Sequence, residues 1–261
     1  MPVSYLNSAQ SFRSCLARPF LLQLKIFDNK LRNGVQNRLK CTEWGIGMRR
    51  LFIALLTVLV VQNLAAEPTL PVGEFSRNRL DGWEHKSFKG ETRYELQVLD
   101  SVVVLKADSQ AAGSGLFKEQ RIDLEKTPFL NWSWRIVNRL SGLNEQSKSG
   151  DDYAARIYVV VKGGLAFWQT KAINYVWAGN TAKNTVWPNA FAGDHAMMLA
   201  LRGPEAPLNV WYSEKRNVKA DLKKLFGEDL RTIDAVALMT DTDNSGGQVS
   251  AFYGDIWFSK D

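Results

Sequence analysis

The sequence predicts an all-β protein, a single antiparallel β-sandwich of jelly-roll type with one short helix. From Gly82 onward, short segments of alternating apolar and polar residues are separated by turn residues about every 8 to 15 positions. The segment 129–137 alternates most regularly, with Trp132, Trp134 and Ile136 on one face. The alternation of strands with helices that is typical of a parallel sheet is missing. These patterns favour two antiparallel sheets around one core.

The individual strands follow from the same alternation and from the turns between them. Asp100-Ser101 predicts a hairpin between the first two strands. The segment 178–193 contains Gly, Asn and Pro and is predicted to be a long connection without an element. The predicted strands are 94–98, 102–107, 113–117, 129–137, 153–161, 166–177, 196–202, 209–214, 234–240 and 249–258.

One helix is predicted, from Val218 to Phe226. Val218, Leu222 and Leu225 recur at helical spacing and share an apolar face with Phe226. Gly227 follows directly and is a typical residue at the C-terminal end of a helix. We expect this helix to cover an open end or edge of the sandwich.

An apolar segment near the start of the chain is typical of a bacterial secretion signal. Met48-Arg49-Arg50 is a short basic region, residues 51–61 are apolar apart from one Thr, and Ala65-Ala66 supplies small residues for cleavage. The apolar run is shorter than the roughly 20 residues of a membrane-spanning helix. Residues 48–66 are therefore predicted to be a signal peptide, and 67–261 a periplasmic or secreted domain without a stable membrane anchor. Residues 1–47 are predicted to be a disordered, non-native leader from an overlong gene prediction, the alternative being an extended basic region of the signal.

Charge and cysteine content change when the predicted signal is removed. Residues 1–66 hold nine of the 33 Lys and Arg but two of the 27 Asp and Glu, so the predicted domain carries 24 basic and 25 acidic residues. This balance argues against nucleic acid as a partner. Cys15 and Cys41 both precede residue 67, so the predicted domain contains no disulfide and no thiol nucleophile.

The sequence offers few catalytic groups. The chain has two histidines, His85 and His195, and the predicted domain has no cysteine. Because zinc sites are built mainly from Cys and His, this argues against a zinc site. Neither a G-x-S-x-G nor an H-E-x-x-H motif occurs. His195, in Gly193-Asp194-His195, is interpreted as a turn or packing residue, with a catalytic base as the alternative.

The acidic turn 241–247 suggests a calcium site. Its alternate residues Asp241 and Asp243 can direct carboxylate oxygens to one cation, and Asp151-Asp152 can supply more toward the six to eight that calcium prefers. An EF-hand is excluded, because Phe252 stands where its bidentate Glu is needed. The alternative is a turn whose Asp, Asn and Gly serve the backbone alone. A structural calcium is the one cofactor that the residues suggest.

Eight tryptophans in the predicted domain, together with polar side chains on two neighbouring strands, suggest a glycan site. Sugar rings present flat apolar faces on which exposed aromatic rings can stack. Trp132 and Trp134 fit a core better. The predicted ligand-binding residues, placed together on a concave sheet surface, are Arg135, Arg156, Tyr158, Lys171, Tyr175, Trp177 and Trp187. The alternative for the charged members is an ordinary solvated face.

In combination, several stretches resemble a family of bacterial exported proteins, the domain of unknown function 3047. They include Gly82-Trp83, 130–135, 150–159, 172–177, 214–218, 239–244 and 253–256. The resemblance implies export and the boundaries of one domain, and it implies no activity. The segment Tyr253-Gly254-Asp255-Ile256-Trp257-Phe258 also resembles the closing strand of galactose-binding-like jelly rolls and carbohydrate-binding modules. That likeness implies a jelly-roll fold with a structural calcium near this strand.

Three functions are compatible with these residues. The first is a non-catalytic exported module that binds a carbohydrate or cell-envelope polymer, with Tyr175, Trp177 and Trp187 stacking on the ligand. The second is a polysaccharide lyase or hydrolase on the same sheet, in which Tyr158 acts as base beside Arg156 and Lys171. The third is an envelope structural or partner-binding protein that uses the same aromatic residues as an interface.

Overall fold

The computed structural model describes residues 69–164 and 169–261, in which two β-sheets pack face to face around one main core. The prediction of an all-β sandwich of jelly-roll type is confirmed. The predicted leader and signal peptide, residues 1–66, lie outside the described residues. Within the described ranges, no helix combines the length and the apolar character needed to cross a membrane.

The described residues form thirteen strands, one α-helix and a short 3-10 helix at Phe75–Arg77. The α-helix, α1, is Val218–Phe226. The strands are β1 (Leu70–Gly73), β2 (Glu84–Lys89), β3 (Arg93–Leu99), β4 (Val102–Gln110), β5 (Gly113–Asp123), β6 (Phe129–Ile136), β7 (Ala155–Val161), β8 (Lys171–Trp177), β9 (Val186–Asn189), β10 (Gly193–Arg202), β11 (Tyr212–Asn217), β12 (Thr232–Asp241) and β13 (Gln248–Ser259).

The two sheets have six and seven strands. The first has the order β11-β6-β13-β4-β3, and β1 pairs with the C-terminal part of β13. The second has the order β2-β5-β12-β7-β8-β10-β9. Among the described strands every pair is antiparallel except β8 with β10, which is parallel. A parallel pair requires a crossover connection, and residues 178–192 form it and contribute β9 on the way.

Large aromatic side chains from both sheets meet in the core. Trp132 and Trp134 of β6 are fully buried, as their alternation with polar neighbours predicts. The Trp132 ring lies 5.5 Å from that of Tyr175, and the Trp134 ring lies 5.9 Å from that of Trp177, centroid to centroid. Since an aromatic side chain buries a large apolar area, these four rings form a substantial apolar contact between the sheets.

Helix α1 has the bounds that the sequence predicts, because its ends carry strong local signals. The side chain of Asn217 accepts a hydrogen bond from the Ala220 backbone N–H at 2.9 Å and so caps the first turn. Gly227, at φ 73°, ends the helix in the left-handed conformation and donates its N–H to the carbonyl of Lys223. Val218 and Leu222 are buried in the main core, so the helix does cover one part of the sandwich.

Three strands were not predicted. All six residues of β2 are exposed at the edge of its sheet, so they show no alternation of buried and exposed positions. Strands β1 and β9 have four residues each and include Pro71 and Pro188, which argue against a strand in a sequence pattern. Strand β8 begins at Lys171 instead of residue 166, and residues 165–168 lie outside the described ranges.

Candidate functional site

A cleft of about 380 Å³ lies on the outer face of the seven-stranded sheet, the face turned away from the core. Successive side chains of a strand point to opposite faces, so alternate residues of three neighbouring strands form its floor. Arg156 of β7 lies opposite Met239 of β12, and Tyr158 of β7 lies opposite Asn174 of β8. Ile157, between the two β7 residues, points into the core.

Two exposed phenylalanines form walls of the cleft. Phe88 of β2 is 66% exposed, and Phe191, in the turn between β9 and β10, is 58% exposed. The Phe117 ring lies 6.2 Å from Phe88 and 6.5 Å from Tyr158, so aromatic side chains continue from the rim to the floor. Phe88 and Phe191 therefore give the cleft a partly exposed aromatic surface.

Acidic and amide side chains enter the cleft from loops beside the strands. Asp151 comes from the segment before β7, where the Asn189 Nδ2 donates to both of its carboxylate oxygens at 3.2 and 3.1 Å. Asp243 and Asn244 come from the turn between β12 and β13. The buried Tyr153 fixes the segment before β7, because its hydroxyl donates to the Glu145 carbonyl at 3.0 Å. Polar groups from three separate segments therefore converge at one end of the cleft.

Arg156 is the charged centre of the floor. It is 4% exposed, its Nη2 donates to the Asp241 carboxylate, and its Nη1 lies 3.8 Å from the Asp151 Oδ2. Its guanidinium carbon also lies 5.0 Å from the Tyr153 ring centre and 5.4 Å from that of Tyr158. Arg156 is thus enclosed by two carboxylates and two aromatic rings.

Burial changes the protonation behaviour of these groups. Burial raises the pKa of Asp241 well above its usual range and raises that of Asp151, although Arg156 opposes both shifts. For Arg156, burial lowers the pKa, but Asp241 and the other neighbouring groups outweigh it and the pKa is raised. Arg156 therefore stays charged, and the carboxylates around it outnumber it.

Two buried polar atoms of the floor have no hydrogen-bond partner in the part of the chain that the structure describes. They are the Oδ1 of Asn174, a residue that is 1% exposed, and the Nε of Arg156. Buried polar groups are almost always paired, since leaving one unpaired costs about 1–3 kcal/mol. The cleft therefore combines aromatic walls with buried polar groups that have spare hydrogen-bonding capacity.

Three of the four predicted calcium ligands converge beside the cleft. Asp152, Asp241 and Asp243 each place an oxygen within 4.8 Å of the others. However, Asp152 already accepts hydrogen bonds from the backbone N–H groups of Asn244 at 3.1 Å and Ser245 at 2.6 Å. Asp241 in turn accepts from Arg156. Since calcium needs six to eight free oxygens, much of this donor set is engaged by N–H groups, and the calcium site stays a prediction.

The matched family covers the entire cleft. A family model described as a protein of unknown function, DUF3047, matches residues 81–257, which is more than half of the chain. The chain belongs to the DUF3047 family. Every residue of the cleft, from Phe88 to Asn244, lies within the matched range. The resemblance seen in the sequence is thereby confirmed.

Comparison with solved structures finds β-sandwich proteins with low sequence identity. A CBM29-2 mutant complexed with cellulohexaose matches at a TM-score of 0.36 and 8% identity, covering 74% of this chain and 91% of that chain. The cellulose induced protein Cip1 matches at 0.42 and 8%, covering 73% and 97%. A non-crystalline cellulose-specific module, CBM28, matches at 0.36 and 12%, covering 72% and 89%. No curated protein matches the chain.

In this DUF3047 domain, two of the predicted stacking residues lie in the core. The prediction placed Tyr175 and Trp177 on the same face as Arg156, but the pairing of β7 with β8 sets Arg156 opposite Val176. Tyr175 and Trp177 therefore face the other sheet, with 0% and 1% of their surface exposed. The Tyr175 hydroxyl donates to Asp221 of α1 at 2.8 Å. The prediction that these rings form an exposed stacking surface is wrong.

Trp187 is also buried, although it lies on the outer side of the seven-stranded sheet. It pairs with Met198 across β9 and β10 and packs in a second small cluster with Tyr153, Val176 and Ala200. Only 3% of its surface is exposed. Trp187 therefore supports the loop that carries Phe191 and offers no open face to a ligand.

Arg135 and Lys171 lie outside the cleft. Arg135 is on the outer face of the six-stranded sheet, with its Nη1 3.5 Å from an Asp100 oxygen. Lys171 borders a separate hollow of about 470 Å³ that also contains His195, and its Nζ is paired with Glu228. The prediction of one concave surface shared by all seven residues is wrong, and only Arg156 and Tyr158 of that set line the cleft.

The predicted lyase residues do not assemble either. Tyr158 lies beside Arg156, but Lys171 is in the other hollow. Burial raises the pKa of Tyr158, with Arg156 opposing, so the phenolate that would act as the base is less populated at neutral pH. The geometry therefore favours binding over base catalysis at Tyr158.

The sequence did not identify Phe88, Asn174, Asn189 and Phe191 as site residues. Asn174 carries a signal that could have been used, since it is a polar residue between apolar neighbours in a predicted strand. Phe88 and Phe191 lie about a hundred positions apart, on an edge strand and a loop that the pattern did not resolve. Only the strand order brings them to one cleft.

Proposed function

We propose that the protein is exported and binds a carbohydrate or cell-envelope polymer in the cleft without catalysing a reaction. The observation that supports this most is the combination of exposed Phe88 and Phe191 with converging Asp, Asn and Arg side chains. Sugar units have apolar C–H faces and hydroxyl edges, so a site for them needs both kinds of group. The cleft volume of about 380 Å³ lies in the usual range for small-ligand sites.

Replacement of Phe191 by Ala is expected to weaken polymer binding about tenfold. A ligand that covers half of this ring buries apolar surface worth about 1.4 kcal/mol, which is about tenfold in affinity. The measurement is calorimetric titration with a panel of cellohexaose, N-acetylglucosamine hexamer, oligogalacturonate and peptidoglycan fragments. The same panel is assayed for released products, and none are expected.

Val98→Ala is the matched control, because Val98 is 69% exposed on β3 of the other sheet. It is expected to leave both affinity and stability unchanged. Equal binding by the Phe191→Ala and Val98→Ala variants would exclude the cleft as the binding site. Turnover of any member of the panel would replace the binding function with an enzymatic one.

Export is expected to remove the predicted signal peptide, residues 48–66. The basic start at Met48, the apolar run after it and the small residues before Glu67 support this part of the proposal. Expression of the full gene in a bacterial host, followed by N-terminal sequencing of the exported protein, should give a sequence that begins near Glu67. A mature N-terminus upstream of Met48, or retention in the cytoplasm, would contradict it.

A further inference from the structure

Acidic side chains outnumber basic ones among the residues that line the cleft. Asp151, Asp241 and Asp243 line it together with a single cation, Arg156, and its remaining lining residues are uncharged. Lys89 and Lys148 lie near the rim, with Nζ atoms on the Asp243 carbonyl at 2.5 Å and 5.5 Å from the Phe191 ring centre. These lysines are at the surface, where water and salt screen them, whereas buried charges are screened much less. The buried residues that line the cleft, more than these lysines, therefore determine which ligand charge the cleft prefers.

Arg156 is not available to an anionic ligand. It is held by Asp241 and Asp151 and lies between the rings of Tyr153 and Tyr158. A ligand carboxylate or phosphate would have to displace a buried carboxylate from this guanidinium. Such a ligand would also lie close to the Asp243 carboxylate, and like charges at close range repel.

The free hydrogen-bonding groups of the cleft include acceptors as well as one buried donor, the Arg156 Nε. The buried Asn174 Oδ1 has no partner among the described residues, and the Asp243 side chain accepts only a long contact of 3.5 Å from the Asn244 Nδ2. A ligand that satisfies these acceptors must supply N–H or O–H groups. The nearby aromatic faces of Tyr158, Phe88 and Phe191 also favour a cation over an anion.

The acidic lining, the unpaired acceptors and the aromatic walls together favour a positively charged sugar unit over a neutral or anionic one. We propose that the unit held in the cleft carries a protonated amine, as a de-N-acetylated amino sugar does, and that Asp243, Asp151 and Asn174 receive its N–H groups. This inference rests on the proposed function, because it names the chemical class of the polymer that the cleft binds. The aromatic and aliphatic walls fit an organic cation with an apolar body better than a bare metal ion.

The test compares three oligosaccharides of equal length with the exported protein obtained from the full gene. They are glucosamine, N-acetylglucosamine and galacturonate hexamers, titrated by calorimetry in a mildly acidic buffer in which the amines are protonated. The glucosamine hexamer is expected to bind at least about tenfold more tightly than the N-acetylated one, because hydrogen bonds to charged groups are roughly twice as strong as neutral ones. The galacturonate hexamer is expected not to bind.

Substitutions in the cleft test whether its residues cause the preference for glucosamine. Asp243→Asn is expected to remove most of the preference for glucosamine over the N-acetylated hexamer, and because Asp243 is partly exposed, its loss leaves no buried cation unpaired. Asn174→Ala, a second variant, is expected to weaken glucosamine binding with Asp243 intact. Asp229→Asn, at an exposed position after α1, is the matched control and is expected to change nothing.

Failure of the amine preference and failure of glycan binding would give different results. Equal or tighter binding of the N-acetylated or galacturonate hexamer would overturn the amine preference and leave glycan binding intact. Absence of binding to every oligosaccharide and to peptidoglycan fragments would overturn the proposed function itself. Binding of calcium alone that is lost in Asp243→Asn, with no preference for glucosamine, would assign the carboxylates to a metal and overturn the inference.

Discussion

Replacement of Arg156 by Met is expected to lower the free energy of unfolding by about 3–5 kcal/mol. Arg156 and Asp241 are both almost completely buried, and the arginine also lies 3.8 Å from Asp151. Removing the guanidinium leaves two buried carboxylates facing one another without a cation. Urea denaturation monitored by tryptophan fluorescence, at neutral pH, measures the loss.

A double variant shows whether the loss of stability in Arg156→Met comes from the broken ion pair or from lost packing. In Arg156→Met/Asp241→Asn the unpaired carboxylate is gone, so the combined loss should be smaller than the sum of the two single losses. Arg135→Met, on the other sheet and paired with the exposed Asp100, should cost no more than about 1 kcal/mol. A loss of under about 1 kcal/mol for Arg156→Met would contradict the buried ion pair.

Replacement of Trp177 by Ala is also expected to cost about 3–5 kcal/mol, because it empties a large volume in the core. The Trp177 ring lies 5.9 Å from Trp134 and 5.2 Å from Tyr212, and 1% of the residue is exposed. A loss of glycan binding in this variant would therefore follow from unfolding. The free energy of unfolding is again measured in urea.

Phe191→Ala provides the comparison, since Phe191 is 58% exposed and its removal should change stability by no more than about 0.5 kcal/mol. Trp177→Ala is thus expected to reduce stability, whereas Phe191→Ala is expected to reduce ligand binding. If Trp177→Ala retained full stability and lost binding, the sequence-based assignment of Trp177 to the ligand surface would be right and the core position wrong.

Elements with local signals could be predicted from the sequence, whereas the pairing between strands could not. Helix α1 was predicted with both ends because its apolar spacing and Gly227 lie within a short stretch. The alternation in β6 correctly placed Trp132 and Trp134 in the core. In β8, most residues from Ala172 to Trp177 are apolar or aromatic, so the pattern does not say which face is buried. A shift of one residue then exchanges the two faces.

For the candidate site, the sequence identified several of the residues but did not predict how they are arranged. Arg156 and Tyr158 were identified as residues of a polar face, and Asp151, Asp241 and Asp243 as a converging acidic set. Their true arrangement depends on the partner of Arg156, which is 85 positions away in the sequence. No local pattern carries that information.

The parallel pairing of β8 with β10 has a consequence for how the cleft can vary among relatives. The crossover 178–192 must return along the length of the sheet, and it delivers Phe191 to the cleft after packing through Trp187. The Arg156–Asp241 pair belongs to strands β7 and β12, whereas the Phe191 wall belongs to a connection whose length the sheet does not fix. Exchange of residues 188–192 between relatives should thus transfer ligand size preference while the scaffold and its buried ion pair stay the same.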